Sequence, residues 1–259
     1  MPTFYDTHSH LDDPRFNDDI AAVVARAGEA GISKIICVGT DVASSRRAIQ
    51  LADAFPNLYA AVGWHPTHVL EAPDDVRPAL RTLAQHPKVV AIGETGLDHF
   101  HAPGTRSGGT DVGWDEYKSR QARLFQQQLE LAAECGLNVV VHHRSSLDDC
   151  LKLMAPWTGR VRGQFHCFED DADAVQRVLA IGSLVSFTGM LTFKNKPIMR
   201  DALAATPLGQ FMLETDCPYL VPEPNRGKIK RCESAFVRDT ARVAAQVKGC
   251  NVEGLSEAT

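Results

Sequence analysis

VVAIGE, residues 89–94, runs four apolar side chains into a glycine and a carboxylate. A stretch without a polar face fits a strand covered on both sides, as in a parallel sheet sheltered by helices. VVVHHR, residues 139–144, has the same form, with two histidines and an arginine closing three valines. Working outward from these two, strands are expected at 3–6, 34–38, 59–62, 89–93, 138–142, 162–165, 183–187 and 211–214. Amphipathic helices are expected between them, among others at 18–30, 43–54, 114–135, 145–157, 172–181 and 235–248. This alternation predicts an α/β fold, a (β/α)8 TIM barrel forming a single domain over 1–259. A doubly wound open sheet is the competitor, but no GxGxxG follows the first strand.

The polar residues that break the apolar runs share one position. His8 and His10 follow strand one, Glu94 strand four and Asp216 strand eight, while His142 and His166 end strands five and six. In a barrel these strand ends converge on one face, where barrel enzymes place their sites. Residues two apart in a strand point the same way, so His8 and His10 both face the mouth. A lone HxH is weak evidence, and a single histidine such as His142 is more often a satisfied core residue. Six such residues at strand ends are a different matter. Imidazole and carboxylate together suit Zn²⁺, Mn²⁺ or a related divalent ion such as Mg²⁺. Four histidines and two carboxylates exceed the usual ligand set of one catalytic zinc, so two divalent metal ions are expected, with Glu94 as the bridge.

Other polar residues are assigned supporting parts. His65 and His68 are expected to shape the pocket or contact substrate. His143, Cys167 and Cys217 adjoin expected ligands and are expected to point away from the mouth, the cysteines as packing residues. Arg144 is placed to clamp a phosphate or to pair with Glu94 or Asp216. Arg226, Lys228, Lys230 and Arg231 form a basic run emerging from the active face. HAPGTRSGGTDVGW, residues 101–114, is glycine-rich and aperiodic, so it reads as a long loop that gates the site.

Composition narrows the classes. The 259 residues are 44% hydrophobic, enough for a sizeable core. A net charge of −5 announces no nucleic-acid-binding tail, so any polyanion site must be local. Seven cysteines, none in a CxxC pair, argue against a disulfide framework. Neither a signal peptide nor a membrane-length apolar run is visible, and a cytoplasmic monomer is expected.

The pieces DTHSHLD, VGWHP, GETGLD, VVVHHR, HCF, SFTGMLTFKN and ETDCPYLVPEPNRGK occur in the order of, and resemble, the TatD family of metal-dependent hydrolases. The resemblance covers residues 3 to 230. It implies an amidohydrolase-like barrel, a divalent-metal site and phosphodiester hydrolysis of the deoxyribonuclease kind. It also implies ligation by His8, His10, Glu94, His142, His166 and Asp216. Four features depart from the family pattern: IKRCESAF after RGK, His99 and Phe100 after GLD, the length of the 101–114 loop, and an ending at VEGLSEAT. The expected reaction is attack by a metal-activated water, oriented or deprotonated by Asp216, while Glu94 holds the metals. The expected substrate is DNA or a small phosphodiester, with His65, Arg144, Arg226 and Lys228 as contacts. A lactonase, amidase or other small-ester hydrolase on the same scaffold is the alternative, and a binding protein with structural metals the second.

Overall fold

The computed structural model describes residues 2–105 and 109–259. Eight strands hydrogen-bond in chain order, all parallel. They are β1 (Phe4–Ser9), β2 (Ile32–Val38), β3 (Leu58–Val62), β4 (Val89–Asp98), β5 (Asn138–Arg144), β6 (Gly163–Phe165), β7 (Leu184–Phe187) and β8 (Phe211–Leu213). Helices α1 (Ile20–Glu29), α2 (Val42–Ala54), α3 (Arg77–Ala84), α4 (Trp114–Cys135), α5 (Leu147–Met154), α6 (Ala172–Ala180), α7 (Pro197–Ala205) and α8 (Val237–Lys248) alternate with them, and α9 (Val252–Ala258) follows. This is the expected (β/α)8 barrel. No helix is long and apolar enough to cross a membrane among the described residues.

The seam closes at the mouth. β1 meets the segment after β8 through a bridge between Ser9 and Cys217. The Asp216 N–H donates to the His8 carbonyl at 2.9 Å, and the His10 N–H to the Cys217 carbonyl at 2.8 Å. The first and last expected ligands are therefore locked together by backbone bonds.

Strand alternation sorts the side chains. Ile35 and Cys37 face the helices and join the large outer core, whereas Val38, Ala61, Ala91 and Val140 form a small cluster of their own with Ile36. A buried polar network joins β1, β6, β7 and the end of β8. Gln164 Nε2 lies 2.8–3.0 Å from the Thr7 and Ser186 hydroxyls and the Glu214 carboxylate, and Ser186 donates to Glu214 at 2.7 Å.

Helix α4 does most to position the site. Its buried face includes Tyr117, Gln121, Leu124, Phe125, Gln128, Leu129 and Ala132, a helical repeat. Burying side chains such as Phe125 and Leu129 contributes about 1.5–3 kcal/mol each. The two glutamines on this face act as short strand mimics. Gln121 accepts from the Asp98 N–H at 2.9 Å and donates to the Asp98 carbonyl at 3.1 Å. Gln128 does the same for Trp64, at 2.8 and 2.9 Å. They satisfy backbone groups where the ladder ends, fixing the termini of β4 and β3.

Several boundaries differ from expectation. β4 runs five residues further than the expected strand, so Glu94 lies within it. The continuation needs Gly96, whose φ is +124° and where a Cβ would sit 2.1 Å from the His142 carbonyl oxygen. The expected helix 145–157 is α5 followed by a 3₁₀ turn, Ala155–Trp157.

Candidate metal centre

Glu94 is buried on β4 and stands at the centre of the ring. Its Oε1 lies 2.9 Å from His142 Nδ1, 2.9 Å from His166 Nε2 and 3.2 Å from His65 Nε2. Its Oε2 lies 3.4 Å from His8 Nε2 and 3.5 Å from His10 Nε2. The two oxygens thus serve different histidines. Asp216 closes the second group, its Oδ1 3.4 Å from His10 Nε2 and 3.7 Å from His8 Nε2. All six expected ligands converge, and His65, expected only to shape the pocket or touch substrate, stands in the ring with them.

Asp216 reaches its place by an unusual backbone. Its φ is 55°, in the left-handed region. Aspartate tolerates that region better than most residues, and such conformations cost about 1–3 kcal/mol. The turn aims the carboxylate back at β1.

The tautomers follow from the outer nitrogens. His10 Nδ1 lies 2.9 Å from the Val38 carbonyl, so it donates its proton there and turns Nε2 to the ring. His142 Nε2 lies 3.0 Å from Asp98 Oδ2, which leaves Nδ1 facing Glu94. A carbonyl or carboxylate behind a histidine in this way is the usual support of a metal-ligating imidazole. His8 Nε2 and His10 Nε2 then approach to 3.2 Å with two carboxylate oxygens beside them. Such a cage attracts positive charge. Burial disfavours the imidazolium of His10, yet the Asp216 hydrogen bond and the Glu94 charge lift it to about 10. Burial likewise works against His142, but Asp98 and Glu94 lift it to about 9. Glu94 is desolvated, yet the surrounding imidazoles hold it well below the ordinary carboxylate range. Among the described residues, three overlapping groups have geometry for a cation: His8, Glu94 and His166; His8, His10 and Asp216; His65, Glu94 and His142. The donor set fits divalent metal ions.

Two buried carboxylates escaped the sequence reading. Asp98 holds His142 from behind, and it lies on the same strand face as Glu94 four residues earlier. Reading GETGLD as strand throughout finds it. Glu214 lies behind His166, its Oε1 3.8 Å from Nδ1, and accepts from the Cys167 N–H at 2.6 Å. Burial pushes its carboxyl up to about 7.

The ring opens into a groove of about 1180 Å³. His68, Arg144 and Arg226 line it, while Lys228 is exposed and does not. Arg144 has no ion pair with Glu94 or Asp216 and instead lies over Phe100, its guanidinium carbon 4.6 Å from the ring centroid. Arg231 departs from the expected basic footprint, because it binds Asp19 at 2.7 Å and Glu233 at 2.7 Å. Cys167 also departs from expectation. Its φ of 47° takes it out of strand alternation, and it lines the groove. Cys217 is buried. His143 packs between Phe165 and Phe168 with ring centroids 5.4 and 5.2 Å away, but it too lines the groove and does not turn from the mouth as expected. Of the 101–114 loop, residues 106–108 lie outside the described residues, and the expected gate falls partly on them.

A parallel barrel carrying this histidine–carboxylate ring at its mouth defines the class: a metal-dependent hydrolase. Comparison with known proteins places it further. The chain belongs to the TatD related DNase family, whose pattern matches residues 5–259. It is 34% identical over 263 residues to the 3'-5' ssDNA/RNA exonuclease TatD of Enterobacter lignolyticus (strain SCF1), covering 98% of this chain and 95% of that protein. It is 31% identical over 257 residues to the uncharacterized metal-dependent hydrolase YabD of Bacillus subtilis (strain 168), covering 98% and 95%. The crystal structure of YJJV, a TatD homolog from Escherichia coli K12, superposes with a TM-score of 0.88 at 29% identity, covering 98% of this chain and 94% of that one.

Proposed function

We propose that this chain hydrolyses phosphodiester bonds of single-stranded nucleic acid, with His8, His10, Glu94, His142, His166 and Asp216 holding two divalent cations. The observation that carries this reading is the division of Glu94. One oxygen faces His142, His166 and His65 and the other faces His8 and His10, as a carboxylate shared between two cations requires. Bound divalent ions supply Lewis acidity and make water nucleophilic near neutral pH.

The protein residues do the rest. Glu94 fixes the separation of the two donor groups. Asp98 fixes the orientation of His142. Asp216 lies at the edge of the ring with its side chain 18% exposed, so it faces both the histidines and the groove. There it orients the attacking water and accepts its proton. Arg144 offers the substrate phosphate a planar pair of donors. The name of the Enterobacter relative, 3'-5' ssDNA/RNA exonuclease, supports the choice of substrate.

The test is a panel of single-stranded DNA, single-stranded RNA, duplex DNA, a lactone and an amide, each with Mg²⁺, Mn²⁺ or Zn²⁺ after chelator treatment. Cleavage of the single strands, abolished by chelator and restored by metal, is expected. Turnover of the lactone or amide alone would overturn the proposal.

A further inference from the structure

We infer that Phe100 and Arg144 form a stacking subsite for the nucleobase beside the scissile phosphate. The inference rests on the phosphodiester reading above and names the part of the substrate that it leaves undefined. Its basis is the juxtaposition of an exposed aromatic face, an uncommitted guanidinium and the metal ring, all tied to one carboxylate.

Phe100 is 59% exposed and lines the groove. A single exposed apolar residue needs no explanation, but the surroundings of this one do. Its backbone N–H donates to Asp98 Oδ1 at 2.9 Å, and the next N–H, that of His101, donates to the same oxygen at 2.8 Å. The other oxygen, Oδ2, takes His101 Nδ1 at 2.7 Å and His142 Nε2 at 3.0 Å. Asp98 is fully buried. The backbone that carries the aromatic ring is therefore fixed by the same carboxylate that holds a ring histidine, and only two residues, at most about 7 Å of chain, separate them. His101 stands edge-on to Phe100 with centroids 5.1 Å apart, which limits sideways motion.

Arg144 completes the subsite. It is exposed, has no carboxylate partner among the described residues, and lies over the Phe100 face. A guanidinium stacked in this way keeps its in-plane donors available for a phosphate. The neighbouring stacks are built for other purposes. Phe193, under Arg226, is buried, and Arg15, over Tyr219, is bound by Asp13 through two donors. An aromatic plane and a free cation beside a metal-binding ring match a base joined to a phosphate. They give no advantage to an alkyl phosphodiester or an aliphatic lactone.

The experiment compares kcat/KM for a trinucleotide with that for the same trinucleotide carrying tetrahydrofuran abasic residues beside the cleaved bond. Wild-type enzyme is expected to prefer the base-bearing substrate. Phe100→Ala is expected to cut that preference by about 5- to 150-fold, the range for losing one base–aromatic stack. Phe100→Trp is expected to restore it and Phe100→Leu is not, which separates stacking from general apolar contact. Cleavage of both substrates with a preference that Phe100→Ala leaves unchanged would overturn the subsite and leave the phosphodiester reading standing. Cleavage of neither substrate by wild-type enzyme under any of the three metals would overturn both.

Discussion

The two walls of the groove both bring arginines toward the metal ring, and they use them in opposite ways. On the β4–β5 wall, Arg144 has no carboxylate partner among the described residues and rests on an exposed aromatic. On the wall that follows β8, Arg231 is consumed by Asp19, Glu233 and the Arg15 carbonyl, all at 2.7 Å. Arg226 lies over Phe193 at 3.8 Å, and Lys228 and Lys230 stand in solvent. A run of basic residues near a site is thus not a measure of its affinity for a polyanion. Each cation counts only after its acidic partners are subtracted, and the groove has several of those, Asp12, Asp41, Glu169 and Asp170 among them.

The difference between the walls is tested most severely at the carboxylate each contributes to the ring. Glu94, from β4, touches five histidines. Asp216, after β8, touches two and faces the groove. Glu94→Gln is expected to empty the site and to lower kcat by about 10³-fold or more, since several kcal/mol of charge stabilisation leave with the metals. Asp216→Asn is expected to lose about 10²–10⁴-fold in kcat while retaining at least one metal ion. Elemental analysis of the purified variants beside their turnover separates the two. If both variants keep full metal occupancy, the ring is not the metal site.

A smaller effect is expected one layer out. Asp98→Asn keeps the shape of the side chain and removes the charge behind His142. Metal affinity is expected to fall by about 10- to 100-fold, as for other supports of metal-bound histidine. Titration calorimetry on the chelator-treated protein measures it. An unchanged affinity would mean that His142 is held by Glu94 alone.

Asp98 also shows where the sequence could and could not be read. The barrel was legible because its strands are continuous apolar runs, and the six converging residues because polar groups interrupt those runs at their ends. The same signal hid Asp98. Beyond Glu94, where the pairing is interrupted, β4 continues as Thr95, Gly96, Leu97 and Asp98, which read as loop although they stay in the ladder with β5. Glu214 was hidden differently: it was taken as the last residue of the eighth strand, whereas β8 ends at Leu213. His65 reached the ring from a short turn whose conformation no apolar period encodes. Helix α3 carries a proline at its second position and buries only Leu80, and α7 begins with a proline. A proline there marks a helix start rather than a break. Cys167 was misplaced because its left-handed φ ends the alternation a residue earlier than the sequence suggests. The division of labour within the basic run was not legible at all, since Asp19 is more than two hundred residues from Arg231.

The smallest expected effects come from that run, and they should differ in kind. Arg226 is exposed and lines the groove, so Arg226→Ala is expected to weaken oligonucleotide binding and reduce the log–log salt slope by about 0.7, the value for one lost contact on a single strand. Arg231→Ala is expected to leave the slope unchanged, because the guanidinium is already neutralised. Its effect belongs to stability and to acid. Asp19 is held down at about 2, chiefly by its hydrogen bond to Arg231 and also by Arg26. A carboxylate depressed in the folded state contributes stability that is present above its unfolded pKa of about 3.9 and lost as pH falls through the folded value. The wild-type advantage over Arg231→Ala should therefore be constant at neutral pH, shrink between about pH 4 and about pH 2, and be small throughout, because the pair is open to solvent and screened by salt. Urea midpoints of the two proteins across that range measure it. A salt slope that falls in Arg231→Ala, or a stability difference that persists undiminished below pH 2, would show that this arginine serves the groove and not the fold.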